Sequence, residues 1–168
     1  MNAHTQLQNL LTTQAERSGL FPPLDGDGHS VLLLDRENAI HLYAEPEEQD
    51  AVFFVLYMPL ISVQGAGEAA QLRLLWQVAE ANAAGALPPA YALFGEADAL
   101  VIYLGGQFSS EHLEIGVLET LTDEFSRLGQ VLRDRLMRVL EEAAPAGSPV
   151  SALEEIPAHL LGAGMLHV

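Results

Sequence analysis

The sequence predicts an α+β domain: a twisted, mainly antiparallel five-stranded sheet with three helices, in the order α-β-β-β-α-β-β-α. Three observations predict it. Apolar stretches at 30–35, 39–45 and 51–62 are separated only by short polar turns, so they form an antiparallel meander. Two further apolar stretches, 88–94 and 99–105, flank the turn "GEAD". Stretches 5–18, 68–84 and 110–142 instead space their apolar residues by threes and fours, the period of a helix.

In chain order, "TQLQNLLTTQAERS" sets Leu7, Leu10, Leu11 and Ala15 on one stripe, and Gly19 is placed to end that helix. "GLFPPLDGDGH" is a turn-rich connection. "SVLLLD" and "AIHLYAE" pair around "REN", and "PEEQD" turns the chain into "AVFFVLYMPLIS". "VQGAG" leads to the second helix, which stops near Gly85. The last helix carries Leu113, Val117, Leu121, Phe125, Leu128, Leu132, Leu136 and Leu140 on one stripe. Ser109 or Ser110 is placed to cap its start, with Glu111 and Glu114 in the favourable first turn. Arg133, Arg135 and Arg138 lie near its end, again the sign the dipole favours, and Gly116 is a candidate kink. The domain is assigned to 1–144. Segment 145–168 is rich in Pro, Gly and Ala and reads as a mobile tail, with "SALE" at 151–154 resembling a capping box for a short helix near 151–156.

Composition narrows the function classes. The chain has 168 residues, 49% of them apolar, with mean hydropathy +0.19, which is too apolar for wholesale disorder. No apolar run approaches the ~20 residues that cross a bilayer, and the first residues lack a basic signal-peptide region, so a cytoplasmic protein without membrane insertion is expected. Cysteine is absent, which removes disulfides, thiolate zinc sites and cysteine nucleophiles. Seven arginines and no lysine stand against 23 acids, for a net charge of -16. Such a chain repels phosphate backbones, so nucleic acid is a poor partner.

The chemical motifs have plainer explanations. "GAGEAA" (65–70) matches the dinucleotide fingerprint G-x-G-x-x-A, and a small dinucleotide-binding enzyme using that loop is the rival reading. That fingerprint belongs to the first strand of a parallel β-α-β unit, whereas here it follows the third strand of a meander. The six histidines are scattered without H-x-x-x-H spacing. "FSSEH" lacks a nucleophile elbow, and "DGDG" (25–28) lacks the remaining ligands of a calcium loop. No catalytic residue, metal site or cofactor is assigned.

Two elements hold more apolar surface than one chain needs to bury. On the second helix, Arg73, Gln77 and Glu80 share a wedge of about 60°. Most of the remaining arc is apolar, roughly twice the stripe of about 100° that a helix on a sheet requires. Leu74, Val78 and Ala81 suit the helix's own sheet; Leu72, Leu75, Trp76 and Ala79 then need another surface. In "AVFFVLYMPLIS" both strand faces are apolar, which leaves open what covers the second one.

Over residues 5–142 the chain resembles the class I type III secretion chaperones, the Tir chaperone family. "GLFPPLDGDG" followed by "SVLLLDRENAIHLYAE" is similar to that family's Gly-Leu-Pro-Pro-Leu loop and first hairpin, and "VAEAN" (78–82) to its Leu-Leu-Glu-Ala-Asn signature. "ALVIYL" before a long amphipathic helix matches its close. The family's glycine pair before the fourth strand is replaced by "ALPPAY", and 145–168 has no assigned family role. The resemblance implies a homodimer joined through the second helix, at Leu72, Leu75, Trp76 and Ala79. It implies a cytoplasmic, non-enzymatic chaperone that holds the N-terminal segment of a secreted effector extended and hands it to the secretion ATPase. On that reading the candidate effector contacts are Leu7 and Leu11 on the first helix and Val31, Leu33, Phe54 and Leu56 on the strands.

Overall fold

The computed structural model describes residues 2–14, 21–35, 38–46, 51–83, 85–96 and 100–143. The helix end at Gly19 and the segment 145–168, with its short helix, lie outside the described residues. The elements are α1 (Ala3–Gln14), β1 (His29–Leu33), β2 (Ala39–Tyr43), β3 (Phe53–Ser62), α2 (Glu68–Ala83), β4 (Tyr91–Glu96), β5 (Val101–Ser109) and α3 (Ile115–Ala143). Their order is the expected one.

The strands form one sheet in the order β1-β2-β3-β5-β4, and every pairing is antiparallel. β3 is central, and a register shift between Pro59 and Ile61 bends its far end. All three helices bury their apolar stripes in a single core. Ala3, Leu7 and Leu11 of α1, Ala70, Leu74 and Ala81 of α2, and Leu118, Phe125, Leu132, Leu136 and Leu140 of α3 meet there. The sheet supplies Ile40, Leu42, Phe54, Leu56, Met58, Leu60, Leu93 and Leu104 to the same core. Up to the shift at Pro59 these are the even-numbered residues of β2 and β3, so the helices cover that face.

α3 lies close to β3 at Gly129. A Cβ there would stand 2.5 Å from the Met58 sulfur. Arg133 fixes the helix across the bend in β3: its Nε donates to the Leu60 carbonyl and its Nη2 to the Pro59 carbonyl, both at 2.9 Å.

Several details of α3 differ from the sequence expectation. Ser110 does not cap the helix. It is buried, and its amide (2.7 Å) and Oγ (3.1 Å) both donate to the Val52 carbonyl. A turn through His112, with φ of 58°, carries the chain to Ile115, so no acid falls in the helix's first turn. The helix runs on to Ala143, which removes the arginines from its last turn. Arg133 and Arg135 serve tertiary contacts instead of the dipole. Gly116 sits in the first turn, outside the helix middle where a kink would form.

Candidate functional site

The candidate site is a pair of surfaces. The first is the outer side of α2. Leu72, Leu75 and Trp76 are 60%, 57% and 72% exposed, and Ala79 is exposed beside them. At 100° per residue their arc is centred about opposite Ala70, Leu74 and Ala81, which are buried. The polar wedge lies between the two faces and meets α3: Arg135 Nη2 donates to Gln77 Oε1 at 2.7 Å and lies 3.9 Å from a Glu80 carboxylate oxygen. The helix therefore has one apolar face for this chain and a second that this chain leaves in solvent. A group of large apolar side chains gathered on one exposed face marks an interaction surface.

The second surface is the sheet face away from the core. The odd-numbered residues of β2 and β3 point here. Aromatic rings run across all five strands. His29 of β1 lies 4.5 Å from Tyr43 of β2 between ring centres. His41 of β2 stacks on Tyr57 of β3 at 4.7 Å and 12°. Tyr57 meets Tyr103 of β5 at 6.4 Å, and Tyr103 stacks on Phe94 of β4 at 5.4 Å and 11°. These rings lie outside the helix-packed cluster, although His41 and Tyr103 are themselves only 3% and 5% exposed. Gly105 makes room for the row, since a Cβ there would come within 2.5 Å of the Phe94 ring. At two corners of the face Leu33 is 74% and Phe53 51% exposed.

One member of the row is electrostatically perturbed. His41 is 3% exposed, and its Nδ1 and that of His29 are buried without a hydrogen-bond partner among the described residues. Burial, and secondarily the neighbouring His29, lowers its pKa from 6.5 to about 4, so it is neutral at pH 7.

This geometry sorts the candidate effector contacts. Leu7, Leu11, Phe54 and Leu56, expected as effector contacts, are at most 1% exposed and belong to the core of this chain. Their physical role is to anchor α1 and β3 to each other's layer. Val31 and Leu33 pair with His41 and Ala39 and lie on the outer face. The six residues thus straddle both sides of the sheet and form no single site. Sequence reasoning missed the ring row itself; the signal available was the presence of His41, Tyr43 and Tyr57 at alternating strand positions.

The nucleotide-like loop has no nucleotide-binding setting. It joins β3 to α2, but every strand pairing in the sheet is antiparallel, so no parallel β-α-β unit surrounds it. Gly67 instead accepts the first-turn amides of Ala70 and Gln71. "DGDG" is likewise a turn: Asp25 Oδ1 accepts the amides of Asp27 (3.0 Å) and His29 (2.8 Å). No described helix is long and apolar enough to cross a membrane.

No family model and no curated protein sequence matches the chain. Solved structures do. A chain of the ExsC–ExsE complex superposes with a TM-score of 0.64 at 19% identity, covering 88% of this chain and all of the other. A chain of the HopA1–SchA chaperone–effector complex gives 0.53 at 15%, over 79% and 94%. The Yersinia pestis type III secretion chaperone SycH, bound to a fragment of YscM2, gives 0.52 at 17%, over 75% and 98%. The chain has the fold of these type III secretion chaperones.

Proposed function

We propose that this protein is a non-enzymatic, homodimeric bacterial chaperone of the cytoplasm that binds the N-terminal segment of a type III secreted effector and keeps it secretion-competent. The observation that carries the reading is the chaperone fold itself, with an aromatic sheet face whose rings lie outside the helix-packed core. An extended passenger needs such a surface: edge pairing supplies affinity, and apolar contacts with alternate side chains supply specificity. The outer side of α2, with Leu72, Leu75, Trp76 and Ala79, is the proposed dimer contact. Handover to the secretion ATPase is part of the same proposal.

Two measurements test it. Deleting the gene in the native host should remove at least one protein from the secreted fraction, and a copy carrying Leu33→Asp should fail to restore it while keeping its circular dichroism spectrum. A secreted profile unchanged by the deletion refutes the chaperone assignment. Separately, the pure protein should have a solution mass near twice 18.1 kDa, and Trp76→Glu should halve it, since a charge would be buried unpaired at the contact. An unaltered dimeric mass for Trp76→Glu removes α2 from the interface.

A further inference from the structure

The buried side chains of all three helices meet in one core, and the sheet's buried side chains join them with few exceptions. Among the described buried apolar residues, only Val101 and Tyr103 of β5 stand outside it. Each is nonetheless 5% exposed. Both have the parity opposite to Leu104, so they turn to the outer face, where Tyr103 lies between Tyr57 and Phe94. His41 on the same face is 3% exposed. Neighbouring rings shield one another's flanks. Closing the outward side of an apolar sheet face takes a further layer.

The chain continues past α3 through residues 144–168, the longest stretch outside the described residues. That stretch begins within reach of the face. α3 runs along β3 in the strand's own direction: Phe125 stacks on Tyr91 at 5.7 Å, Gly129 lies over Met58, and Arg133 bonds the Pro59 and Leu60 carbonyls. From Arg133 to Ala143 the helix advances about 15 Å more. It therefore ends beyond the end of β3, where Ser62 pairs with Val101. Five strands about 4.8 Å apart are about 20 Å across, a distance that roughly six extended residues cover.

The composition of 145–168 matches that face. Leu153, Ile156, Leu160, Leu161, Met165 and Leu166 are large and apolar. Glu154 and Glu155 are its only acids, and it has no arginine or lysine, in a chain of net charge -16. A segment that stays in water is ordinarily charged and poor in such residues. Left exposed, this one would promote association between chains. The face across from it carries rings and Val55, and burial keeps His41 neutral. The buried Nδ1 atoms of His29 and His41, unpartnered among the described residues, offer polar contacts to a segment lying over them.

We propose that segment 145–168 docks on the outer face of its own sheet, over His41, Tyr57 and Tyr103, and occupies that face until an effector displaces it. Docking stands on burial, reach and composition; displacement rests on the chaperone reading. A short tether holds the segment at an effective concentration on the order of mM. An effector must outcompete that, and the free protein keeps its aromatic face from unrelated chains.

The chain has no cysteine, so introduced thiols report without background. Val55→Cys places one on the outer face, and Val131→Cys, at a 65% exposed site on α3, is the control. Each is combined, in the full chain, with Leu153→Cys, Pro157→Cys, Leu161→Cys or Met165→Cys and oxidised. At least one combination with Val55→Cys should close a disulfide within a single chain, and none with Val131→Cys. As the lone thiol, Val55→Cys should react with a maleimide roughly tenfold faster once Leu160→Asp and Leu161→Asp are added, while Val131→Cys keeps its rate. Disulfides at both sites alike, or at neither, overturn docking, as does a Val55→Cys rate that the aspartates leave unchanged. Disulfides that join two copies hand the segment to the partner and overturn docking within one chain. The aspartate variant should also bind the effector identified by gene deletion more tightly; an unchanged affinity overturns displacement. Single-chain disulfides in a protein whose deletion leaves the secreted profile unchanged refute the chaperone reading, and displacement with it, and leave docking standing.

Discussion

The two faces of β3 are built from similar residues and have opposite fates. Phe54, Leu56, Met58 and Leu60 lie under the helices and are at most 1% exposed. Phe53, one residue away, is 51% exposed, and Val55 and Tyr57 are half-buried in the aromatic row. Apolar character alone therefore does not place a residue in the core of this protein; position relative to the helix layer does. α2 repeats the division, with Leu74 fully buried and Trp76 facing solvent two residues on. In both elements one apolar face stabilises the single chain and the other lies outside that core.

The sharpest way to break the comparison is Phe54→Ala. It empties a buried site against the helices, where removal of a phenylalanine side chain costs about 3–5 kcal/mol. Urea denaturation should show a large drop in midpoint. A loss under about 1 kcal/mol would mean that the helix layer is not close-packed on β3, and the distinction between the faces would fail.

The outer face should show itself next through pH. His41 is neutral in the fold, and its pKa is lowered from 6.5 to about 4, so the unfolded chain binds the proton more readily. Stability is then unaffected by this group above pH 6.5, declines as pH falls below 6.5, and has lost its full increment below pH 4. The shift corresponds to roughly 3 kcal/mol at its limit and roughly 2 kcal/mol between pH 7 and pH 5. His41 stacks on Tyr57 and is acted on by His29, which lies against Tyr43, whose hydroxyl bonds Glu45. Carboxylates titrate over the same range, so the informative quantity is the difference between wild type and His41→Phe. The variant should lose less stability on acidification. Parallel curves would show that His41 takes up a proton in the fold as easily as in the unfolded chain.

The element order was legible because helical and strand periods differ wherever a stretch is long enough. The outer arc of α2 was legible for the same reason: four residues fell outside the stripe one sheet can bury, and all four are exposed. The face of β3 was not. Parity is read from alternation, and "FFVLYM" has none, so Phe54 and Leu56 were assigned to a partner while Val31 and Leu33 fell on the opposite side. The burial of Leu7 and Leu11 was legible, since they lie on the apolar stripe of a short helix. Ser110 and Asn82 could not. Their partners, Val52 and Leu93, are 58 and 11 residues away and are brought near only by the sheet.

The smallest effect sharpens the comparison most. Phe53→Ala removes the same side chain as Phe54→Ala, one position along the strand, but from a ring already half in water. With 51% of its surface exposed on folding, its truncation forfeits little transfer free energy and leaves no closed cavity. The expected loss is below about 1 kcal/mol, so the urea midpoint should stay near wild type. Its consequence should appear in binding, because Phe53 stands at a corner of the face on which the proposed passenger lies. Co-expression with the effector identified by gene deletion should yield less complex from Phe53→Ala than from wild type, at equal levels of folded chaperone. A substitution that costs stability and leaves the yield of complex untouched would return Phe53 to the core and close the outer face as a docking surface.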